Sequence, residues 1–248
     1  MRILLIQIRP DSAVAEHEFG LIVVKSDVQA DAFVRVNVAL AGELNRLDAL
    51  DLRSFDAVMI GGSGDYLISR GDVPEVVDRL CQLIVQVREK KIPLLGICFG
   101  GQLMTHALGG RVAYDDTRAE VGTFAVTRSS EGARDPIFSE LPQEFLVQQG
   151  HKDHCIELPP GAVRLASSER SANQAFMFPG EPLYALQFHP ELDEDAVKFR
   201  VDYYAVEYKF TPEKIEAMHK GLRPSPDASR VIRLFLDKIV AQEKSGVS

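Results

Sequence analysis

Apolar residues in the first 110 residues form short runs that polar segments separate. Three of these runs are nearly continuous and rich in branched side chains, as in strands buried within a sheet. In a fourth run, apolar and polar residues alternate with the period of a β-strand. The predicted strands are RILLIQI (residues 2–8), FVRVNVAL (33–40), DAVMIGG (56–62) and IPLLGIC (92–98).

Between these strands the hydrophobic period changes to that of a helix. A weakly helical stretch covers residues 14–24, and the clearest amphipathic pattern follows Asp72. There Asp72 and Glu75 have the spacing of a capping box, with Pro74 in the first turn. A short helix is predicted over residues 100–110, where a glycine pair suits its end. The alternation of strand and helix predicts a parallel sheet covered on both faces.

After residue 110 several short strands with turn signals follow one another. These are RVAYD, GTFAVTR, FLVQQG, AVRLASS, NQAFMF and LYALQF, and helical patterns then close the chain. The sequence therefore predicts an α/β fold with a mostly parallel central sheet between helical layers. The 248 residues fit one domain, with a core of about 1–195 and a C-terminal helical extension of about 196–240.

Composition narrows the class of partner. The formal net charge is −8 and no block is rich in Lys or Arg, which argues against a nucleic-acid binder. Charged residues and prolines follow the first apolar run at once, so it predicts neither a signal peptide nor a membrane span. The three cysteines, Cys81, Cys98 and Cys155, are too few and too far apart for a disulfide framework or a structural zinc site. These features predict a cytoplasmic protein with a small-molecule or protein partner.

One cysteine lies between glycines where a predicted strand meets a predicted helix. The segment Gly96-Ile97-Cys98-Phe99-Gly100 has the form G-x-C-x-G, the cysteine counterpart of the nucleophile elbow. Glycines are needed on both sides because a Cβ atom would collide across so sharp a turn. The helix start brings partial positive charge to the sulfur and an N–H group to an anion. Cys98 is therefore a candidate nucleophile for acyl transfer, with a small buried hydrophobe as the alternative.

A cysteine nucleophile needs a base and a group that orients the base. His189 follows a predicted strand, Pro190 ends that strand, and Glu191 is close enough to reach the same imidazole. A glycine-rich turn after another strand could offer backbone N–H groups to an oxyanion, with Gly61 and Gly62 as candidates. Taken alone, His189 would be interpreted as a surface residue. Together with the cysteine elbow, it becomes the candidate base.

With these three parts in this order, the sequence resembles the class I, or triad-type, glutamine amidotransferases. Their motif G-[IV]-C-x-G-x-Q is matched by GICFGGQ (residues 96–102), and their H-P-E motif by residues 189–191. The resemblance covers roughly residues 1–195 and implies a flavodoxin-like three-layer sandwich. The segments GHKD (150–153) and LPPGAVRLASS (158–168) are similar to stand-alone relatives of the amidotransferase domain of GMP synthase.

The resemblance implies a catalytic role for three residues. Cys98 would attack the side-chain amide of L-glutamine, and His189 would move the thiol proton to the departing ammonia. Glu191 would hold His189 in the useful tautomer. Water would then hydrolyse the γ-glutamyl thioester.

The resemblance also implies which residues hold the substrate. The N–H groups of Gly62 and Phe99 would bind the oxyanion, and Gln102 would help to hold glutamine. His151 matches a pocket-lining segment of the GMP synthase relatives. Ser63 stands where many members have proline in a Gly-Gly-Pro-Gly loop, which implies a more mobile or differently shaped loop. No metal and no other cofactor is implied.

Three functions stay open on the sequence. The first is a glutaminase that delivers ammonia to an unidentified acceptor enzyme or intermediate. The length of the chain predicts no synthetase domain within it, so a synthetase partner is the expected source of the acceptor chemistry. The second is a γ-glutamyl peptide hydrolase or transferase, which forms the same thioester but releases a larger amine. The third is a non-catalytic regulatory member of the fold. Nucleic acid and membrane are not expected partners, and self-association is left open.

The remaining side chains have simpler interpretations. His151, Asp153 and His154 lack helical spacing and an evident further ligand, so no metal is predicted. Cys81 and Cys155 are interpreted as packing residues. One packed helical face is predicted for Val201, Tyr203, Tyr204, Val206 and Tyr208, and solvent exposure for Glu16 and His17.

Overall fold

The computed structural model describes residues 1–64, 66–206 and 209–245. Its strands are β1 (Ile3–Gln7), β2 (Phe33–Asn37), β3 (Ala57–Ile60), β4 (Leu94–Ile97), β5 (Arg111–Tyr114), β6 (Glu120–Arg128), β7 (Glu144–His151), β8 (Asp153–Glu157), β9 (Val163–Ser167), β10 (Ala175–Met177) and β11 (Leu183–Leu186). Nine of them form one sheet in the order β2-β1-β3-β4-β11-β10-β9-β6-β7, and β5 pairs with β8 in a separate ribbon.

The half of the sheet that begins at β2 and ends at β11 is parallel throughout. All residues of β1, β3, β4 and β11 are buried, which explains why their sequences are nearly continuous apolar runs. The predicted parallel sheet is thereby confirmed. The remaining strands, β10, β9, β6 and β7, continue the sheet with antiparallel pairing.

Helices cover both faces of the sheet. They are α1 (Ser12–Ser26), α2 (Glu43–Asp48), α3 (Pro74–Glu89), α4 (Phe99–Ala107), α5 (Glu194–Tyr204), α6 (Pro212–Gly221), α7 (Pro226–Ser229), α8 (Val231–Phe235) and α9 (Ala241–Ser245), with a π-helical turn at Leu236–Val240. Ile3 and Leu5 of β1 enter a core with α8, whereas Leu4 and Ile6 enter a second core with α3. Successive side chains of a strand point to opposite faces of the sheet, so β1 contributes to two cores. The fold therefore has three layers, with the sheet between two layers of helices.

Two local features differ from the prediction. The prediction of a capping box at Asp72 and Glu75 is wrong, because no side chain caps the start of α3. The helix begins after Val73, which has a left-handed conformation with φ 46°. The Asp72 carboxylate instead accepts the N–H of Leu67, so it closes the preceding loop. Strand β8 was missed, because its sequence begins with two polar residues, Asp153 and His154, whose side chains are buried inside the protein.

The C-terminal helices form a third, smaller core beside the sheet. Leu192, Ala196, Val197 and Val201 are its buried residues, and side chains of α6 pack against them. The interpretation of the nearby tyrosines and valines as one packed face is wrong at Val206, which is 89% exposed. Tyr208 lies outside the described residues. Within the described ranges, no helix is both long and apolar enough to cross a membrane.

Candidate active site

The backbone turns sharply at Cys98, between β4 and α4. Cys98 has φ 51° and ψ −104°, a conformation that costs free energy for any residue with a side chain. Its N–H donates to the carbonyl of Leu186 in β11 at 2.8 Å, and its carbonyl accepts the N–H of Gln102 at 2.9 Å. These contacts tie the strained residue to the sheet and to the helix. The structure therefore contains the elbow that the sequence predicts.

The two glycines of the elbow are required by close packing. A Cβ atom on Gly100 would lie 2.2 Å from the carbonyl oxygen of Ile60 in β3. One on Gly96 would lie 2.7 Å from backbone atoms of Gly100. Both distances are far inside van der Waals contact, and the obstructing atoms belong to the backbone. The predicted collision across the turn is confirmed for Gly96, whereas Gly100 is required by the close approach of α4 to β3.

His189 lies directly beside the nucleophile and contacts Glu191. The backbone N–H of His189 donates to the backbone carbonyl of Gln148 at 2.9 Å. This contact holds the loop after β11 against β7. The ring atom Nδ1 lies 2.6 Å from Oε1 of Glu191, and the ring also forms a hydrogen bond with the side chain of Cys98. All three side chains are buried, and Cys98 and His189 line one cavity. The chain thus brings together residues that are ninety positions apart in sequence.

The charges of this cluster stabilise one another. Burial alone would lower the pKa of His189, but the negative charges of Glu191 and Cys98 and hydrogen bonds to both raise it to about 9. Burial would raise the pKa of Glu191, yet His189 and the nearby charge of Arg200 lower it to about 2. At neutral pH, His189 is therefore an imidazolium and Glu191 a carboxylate.

Glu191→Gln should flatten the pH dependence of stability above neutrality. The folded chain keeps the His189 proton up to about pH 9, whereas an unfolded histidine releases it near pH 6.5. The stabilisation that this proton provides is therefore complete below about pH 6.5 and disappears as the pH rises through about 9. Glutamine carries no charge, so it removes the main cause of the raised pKa. The free energy of unfolding should be measured in urea between pH 6 and 9.5.

The control for this measurement is Glu16→Gln, which removes a carboxylate from an exposed ion pair with Arg35. Its curve should run parallel to that of the wild type. If Glu191→Gln also gives a parallel curve, Glu191 does not control the protonation of His189.

A glycine-rich loop after β3 is supported by a buried ion pair. Arg9 donates to Oε1 of Glu18 through Nε at 3.1 Å and Nη2 at 2.7 Å, and neither side chain is more than 2% exposed. A Cβ on Gly62 would lie 2.9 Å from Nη2 of Arg9 and 2.9 Å from Cε1 of His189. Only glycine therefore lets the loop backbone approach the imidazole so closely.

The two glycines of this loop differ in their N–H groups. The N–H of Gly61 donates to the carbonyl of Ile6 at 3.0 Å, and the carbonyl of Gly61 accepts the N–H of Gly100 at 3.2 Å. The predicted oxyanion role of Gly61 does not fit, because its donor is already bound within the sheet. Gly61 instead joins the loop to the elbow. Gly62, next to His189, is the better placed of the two.

Two glutamines that contact each other lie near the sulfur of Cys98. Gln102 donates through Nε2 to the carbonyl of Asp153 at 3.0 Å and to Oε1 of Gln187 at 3.3 Å. Gln187 in turn lies with Nε2 3.8 Å from Sγ of Cys98. Gln102 is buried and lines the cavity, and its role in holding glutamine stays a prediction. The contact of Gln187 with the sulfur was not predicted.

His151 lines the same cavity, but both of its ring nitrogens are bound. Nδ1 lies 2.9 Å from the carbonyl of Asp153, and Nε2 lies 2.8 Å from the carboxylate of Glu120. Burial would raise the pKa of Glu120, but His151 and two further donors lower it. Burial and the charge of His151 lower the pKa of neighbouring His154 to about 4. His151 therefore supports the Asp153 carbonyl to which Gln102 is bound.

The remaining candidate residues are placed as follows. The carboxylate of Asp153 is held by the backbone and hydroxyl of Ser69. In the part of the chain that the structure describes, no group of three or more His, Cys, Asp or Glu side chains is arranged to hold a metal. Cys81 and Cys155 pack in the core with α3, as predicted. The prediction of exposure is wrong for His17, which is partly buried with its ring centroid 4.4 Å from that of Phe199.

A cavity of about 720 Å³ opens beside the sulfur of Cys98. Its polar lining includes Gln102, His151, Arg9 and His189. Helices α5 and α6 and the residues next to them, together called the roof, contribute apolar side chains that include Leu192, Val197, Val201, Phe210 and Met218. Ser63, Gly64 and Phe99 also line the space. The candidate site therefore combines a cysteine sulfur, an imidazolium and a carboxylate beside a large, partly apolar chamber.

A strained cysteine elbow thus lies at the carboxyl edge of a parallel sheet, with a histidine and a carboxylate beside it. Comparison with known proteins specifies the class. The family Glutamine amidotransferase class-I matches residues 29–198. The chain belongs to the class I glutamine amidotransferase family.

The chain is similar to curated relatives over part of its length. It is 35% identical over 142 residues to a glutamine-hydrolyzing GMP synthase of Christiangramia forsetii, covering 57% of this chain and 26% of that protein. It is 33% identical over 142 residues to one subunit of the glutamine-hydrolyzing GMP synthase of Saccharolobus solfataricus, covering 57% of this chain and 70% of that protein. The matched region thus spans about a quarter of the first relative and about two thirds of the second.

A solved structure has the same fold across nearly the whole chain. A glutamine amidotransferase from Thermotoga maritima superposes with a TM-score of 0.72 at 24% identity, covering 97% of this chain and 98% of that one. The expected α/β fold of the class I amidotransferases is thereby confirmed. Because the match extends over the C-terminal helices, the chamber roof is included in the shared fold.

Proposed function

We propose that this protein hydrolyses the side-chain amide of glutamine through a γ-glutamyl thioester on Cys98. The observation that carries the proposal is the position of Cys98 on a strained elbow, in contact with a His189 ring that is itself bound to Glu191 at 2.6 Å. The membership of the class I family supports the same reaction. The buried charges explain how the sulfur becomes nucleophilic, because the His189 imidazolium and the N-terminus of α4 both place positive charge beside it.

The reaction begins with attack of the Cys98 sulfur on the amide carbon of glutamine. The N–H groups of Gly62 and Phe99 bind the oxyanion, since Gly62 lies beside the imidazole and Phe99 is in the first turn of α4, where N–H groups lack helical acceptors. His189 gives its proton to the nitrogen, the C–N bond breaks and ammonia leaves. Glu191 keeps Nδ1 of His189 protonated and so presents the other nitrogen to the sulfur and the leaving group.

Hydrolysis of the thioester completes the cycle. With the ammonia gone, His189 has lost a proton and takes one from a water molecule, which attacks the thioester carbon. Glutamate leaves and Cys98 is regenerated. Gln102, fixed to the Asp153 carbonyl, would hold the glutamyl group during both steps.

The ammonia released would pass to an acceptor on a synthetase partner. Support comes from the similarity to separate subunits of glutamine-hydrolyzing GMP synthases, each of which is one part of a larger enzyme by its name. The GMP synthases that carry the similarity on one chain are much longer than the matched region. Association with such a partner is part of the proposal.

The purified chain is expected to release ammonia from glutamine, and glutamate should appear in equal amount. The assay should be run alone and with a GMP-forming synthetase subunit, and labelling by a glutamine-like diazo-ketone should be located by mass spectrometry. Modification confined to Cys98 together with ammonia release supports the proposal. Absence of both would leave the non-catalytic alternative in its place.

A second candidate is cleavage of γ-glutamyl amides larger than glutamine. The observation that favours it is the cavity of about 720 Å³, since the ten non-hydrogen atoms of glutamine fill on the order of 200 Å³ at the density of close-packed organic matter. The chemistry at Cys98 would be the same, with an amine in place of ammonia as the leaving group.

A further inference from the structure

Arg9 lies directly beside the glycine-rich loop that carries the proposed oxyanion donor. A Cβ atom on Gly62 would lie 2.9 Å from Nη2 of Arg9, and one on Gly64 would lie 3.5 Å from Nη1. Two nitrogens of one guanidinium are therefore close to the loop backbone at two positions. Gly64 has φ 85°, a left-handed conformation that favours glycine, so the chain turns at this point. The guanidinium thus limits where the loop can lie.

Buried contacts hold the guanidinium of Arg9 in one orientation. Nε and Nη2 both donate to Oε1 of Glu18, and Oε2 of Glu18 accepts Nε2 of Gln7 in β1 at 3.0 Å. The backbone of Arg9 is bound at both polar groups by the side chain of Asn37 in β2, with distances of 3.1 and 2.7 Å. Arg9 is therefore fixed to two strands of the parallel sheet.

The N–H group of Gly62 is available for a ligand. Within the described ranges, the structure gives it no hydrogen-bond acceptor, whereas the N–H of Gly61 is bound to the carbonyl of Ile6. The Cβ position of Gly62 lies 2.9 Å from Cε1 of His189 as well as from Arg9. The available donor is therefore next to the candidate base, and its position depends on the contact with Arg9.

The charge of Arg9 is matched inside the protein. Burial alone would lower the pKa of Arg9, but the carboxylate of Glu18 raises it, so the guanidinium stays charged. Replacing a buried ion pair by apolar side chains of similar volume is often neutral for stability. Apolar side chains cannot supply a flat, rigid group whose orientation two hydrogen bonds fix. The specific contribution of the pair is therefore orientation.

We propose that Arg9 is a positioning residue for the oxyanion, because its guanidinium, fixed by Glu18, holds the Gly62 peptide where its N–H meets the developing negative charge. This inference rests on the proposed thioester chemistry at Cys98. Attack of the sulfur and hydrolysis of the thioester both pass through an oxyanion, so both steps depend on this donor. Arg9 acts through the loop and does not touch the reacting atoms.

The test removes both charges together, in the double variant Arg9→Met with Glu18→Gln. Arg9→Met alone would leave Glu18 buried without its partner, which is strongly destabilising, whereas the double variant leaves no charge unpaired. The matched control is Arg88→Met with Glu181→Gln. Arg88 donates to Glu181 through Nε and Nη2 at 2.7 Å each, and neither residue lines the chamber in the described part of the chain.

Two reactions of Cys98 are compared in each protein. Glutamine hydrolysis passes through an oxyanion, whereas alkylation by iodoacetamide does not, because the sulfur bonds to a saturated carbon and iodide leaves. In the double variant at Arg9 and Glu18, kcat for glutamine should fall by about 10²-fold with KM unchanged, since a displaced donor loses most of its effect. The rate of alkylation at Cys98, followed by mass spectrometry, should equal that of the wild type. The control should keep all three wild-type values.

Three results would overturn the inference while the wild type hydrolyses glutamine. An unchanged kcat would show that Gly62 does not need Arg9. Equal losses of hydrolysis and alkylation would show that Arg9 acts on the sulfur or on the fold. A raised KM with unchanged kcat would show that Arg9 binds glutamine directly. If the wild type neither hydrolyses glutamine nor is labelled at Cys98 by the diazo-ketone, the proposed chemistry itself is refuted instead.

Discussion

Cys98→Ala is expected to lower glutamine hydrolysis by about 10⁶-fold, to the level of the uncatalysed background. Every step of the proposed reaction passes through a covalent bond to this sulfur, and His189 has no other nucleophile beside it among the described residues. Alanine keeps the Cβ atom, so it fits the same strained backbone at φ 51°. The measurement is ammonia release under saturating glutamine, with the urea midpoint recorded to show that the fold is retained.

Cys81→Ala provides the control for loss of a thiol. Cys81 lies on α3, packs in the core and does not line the chamber in the described part of the chain. Burial raises its pKa to about 11, so it remains a thiol at neutral pH. Its variant should hydrolyse glutamine at the wild-type rate. Activity above about one per cent in Cys98→Ala would show that the acyl group is not carried by this sulfur.

Gly100→Ala is expected to have the largest effect on stability, with a loss of more than about 4 kcal/mol of unfolding free energy or failure to fold. The added Cβ would lie 2.2 Å from the carbonyl oxygen of Ile60, and the obstructing atoms belong to the backbone of β3. Relief would require α4 to move away from the sheet, which would break the contact between the N–H of Gly100 and the carbonyl of Gly61. Urea denaturation, or the yield of folded protein, gives the measurement.

The opposite result is expected for Gly20→Ala, which is the same substitution at an open position of α1. No atom lies within 4 Å of the added Cβ, and alanine is favoured over glycine in a helix by up to about 1 kcal/mol. This variant should therefore be slightly more stable than the wild type. If Gly100→Ala unfolded at the same urea concentration as Gly20→Ala, the packing of the elbow would differ from that described above.

The sequence predicts the parallel half of the sheet well, because β1, β3, β4 and β11 are buried on both faces and mostly apolar, and the edge strand β2 alternates apolar and polar residues. The elbow is equally predictable, since the glycine spacing follows from steric contacts within a few residues. Strand β8 could not be found in this way, because Asp153 and His154 are polar and their burial depends on contacts with distant residues. The cap of α3 was mispredicted for the same reason, as Asp72 is bound to Leu67 rather than to its own helix.

The candidate site likewise contains residues that can be identified from the sequence and residues that only the folded chain reveals. Cys98, His189 and Glu191 are recognisable because each stands in a short motif, and the structure places them together. Arg9 and Glu18 carry no motif, and only the folded chain shows that they form a buried pair beneath Gly62. Gln187 could be noticed in the sequence only because it is a polar residue within the otherwise apolar run LYALQF. Arg200 gave no signal, because helical sequences commonly contain exposed arginines.

The position of β11 in the middle of the nine-stranded sheet affects how the protein folds during its synthesis. β11 pairs with β4 on one side and β10 on the other, and it also receives the N–H of Cys98 through Leu186. Its residues leave the ribosome almost ninety positions after the nucleophile. Until then the nascent polypeptide exposes an unpaired edge at β4 and has no histidine for the sulfur. In the proposed mechanism, the thiol of Cys98 therefore meets its base only when this central segment has been inserted into the sheet.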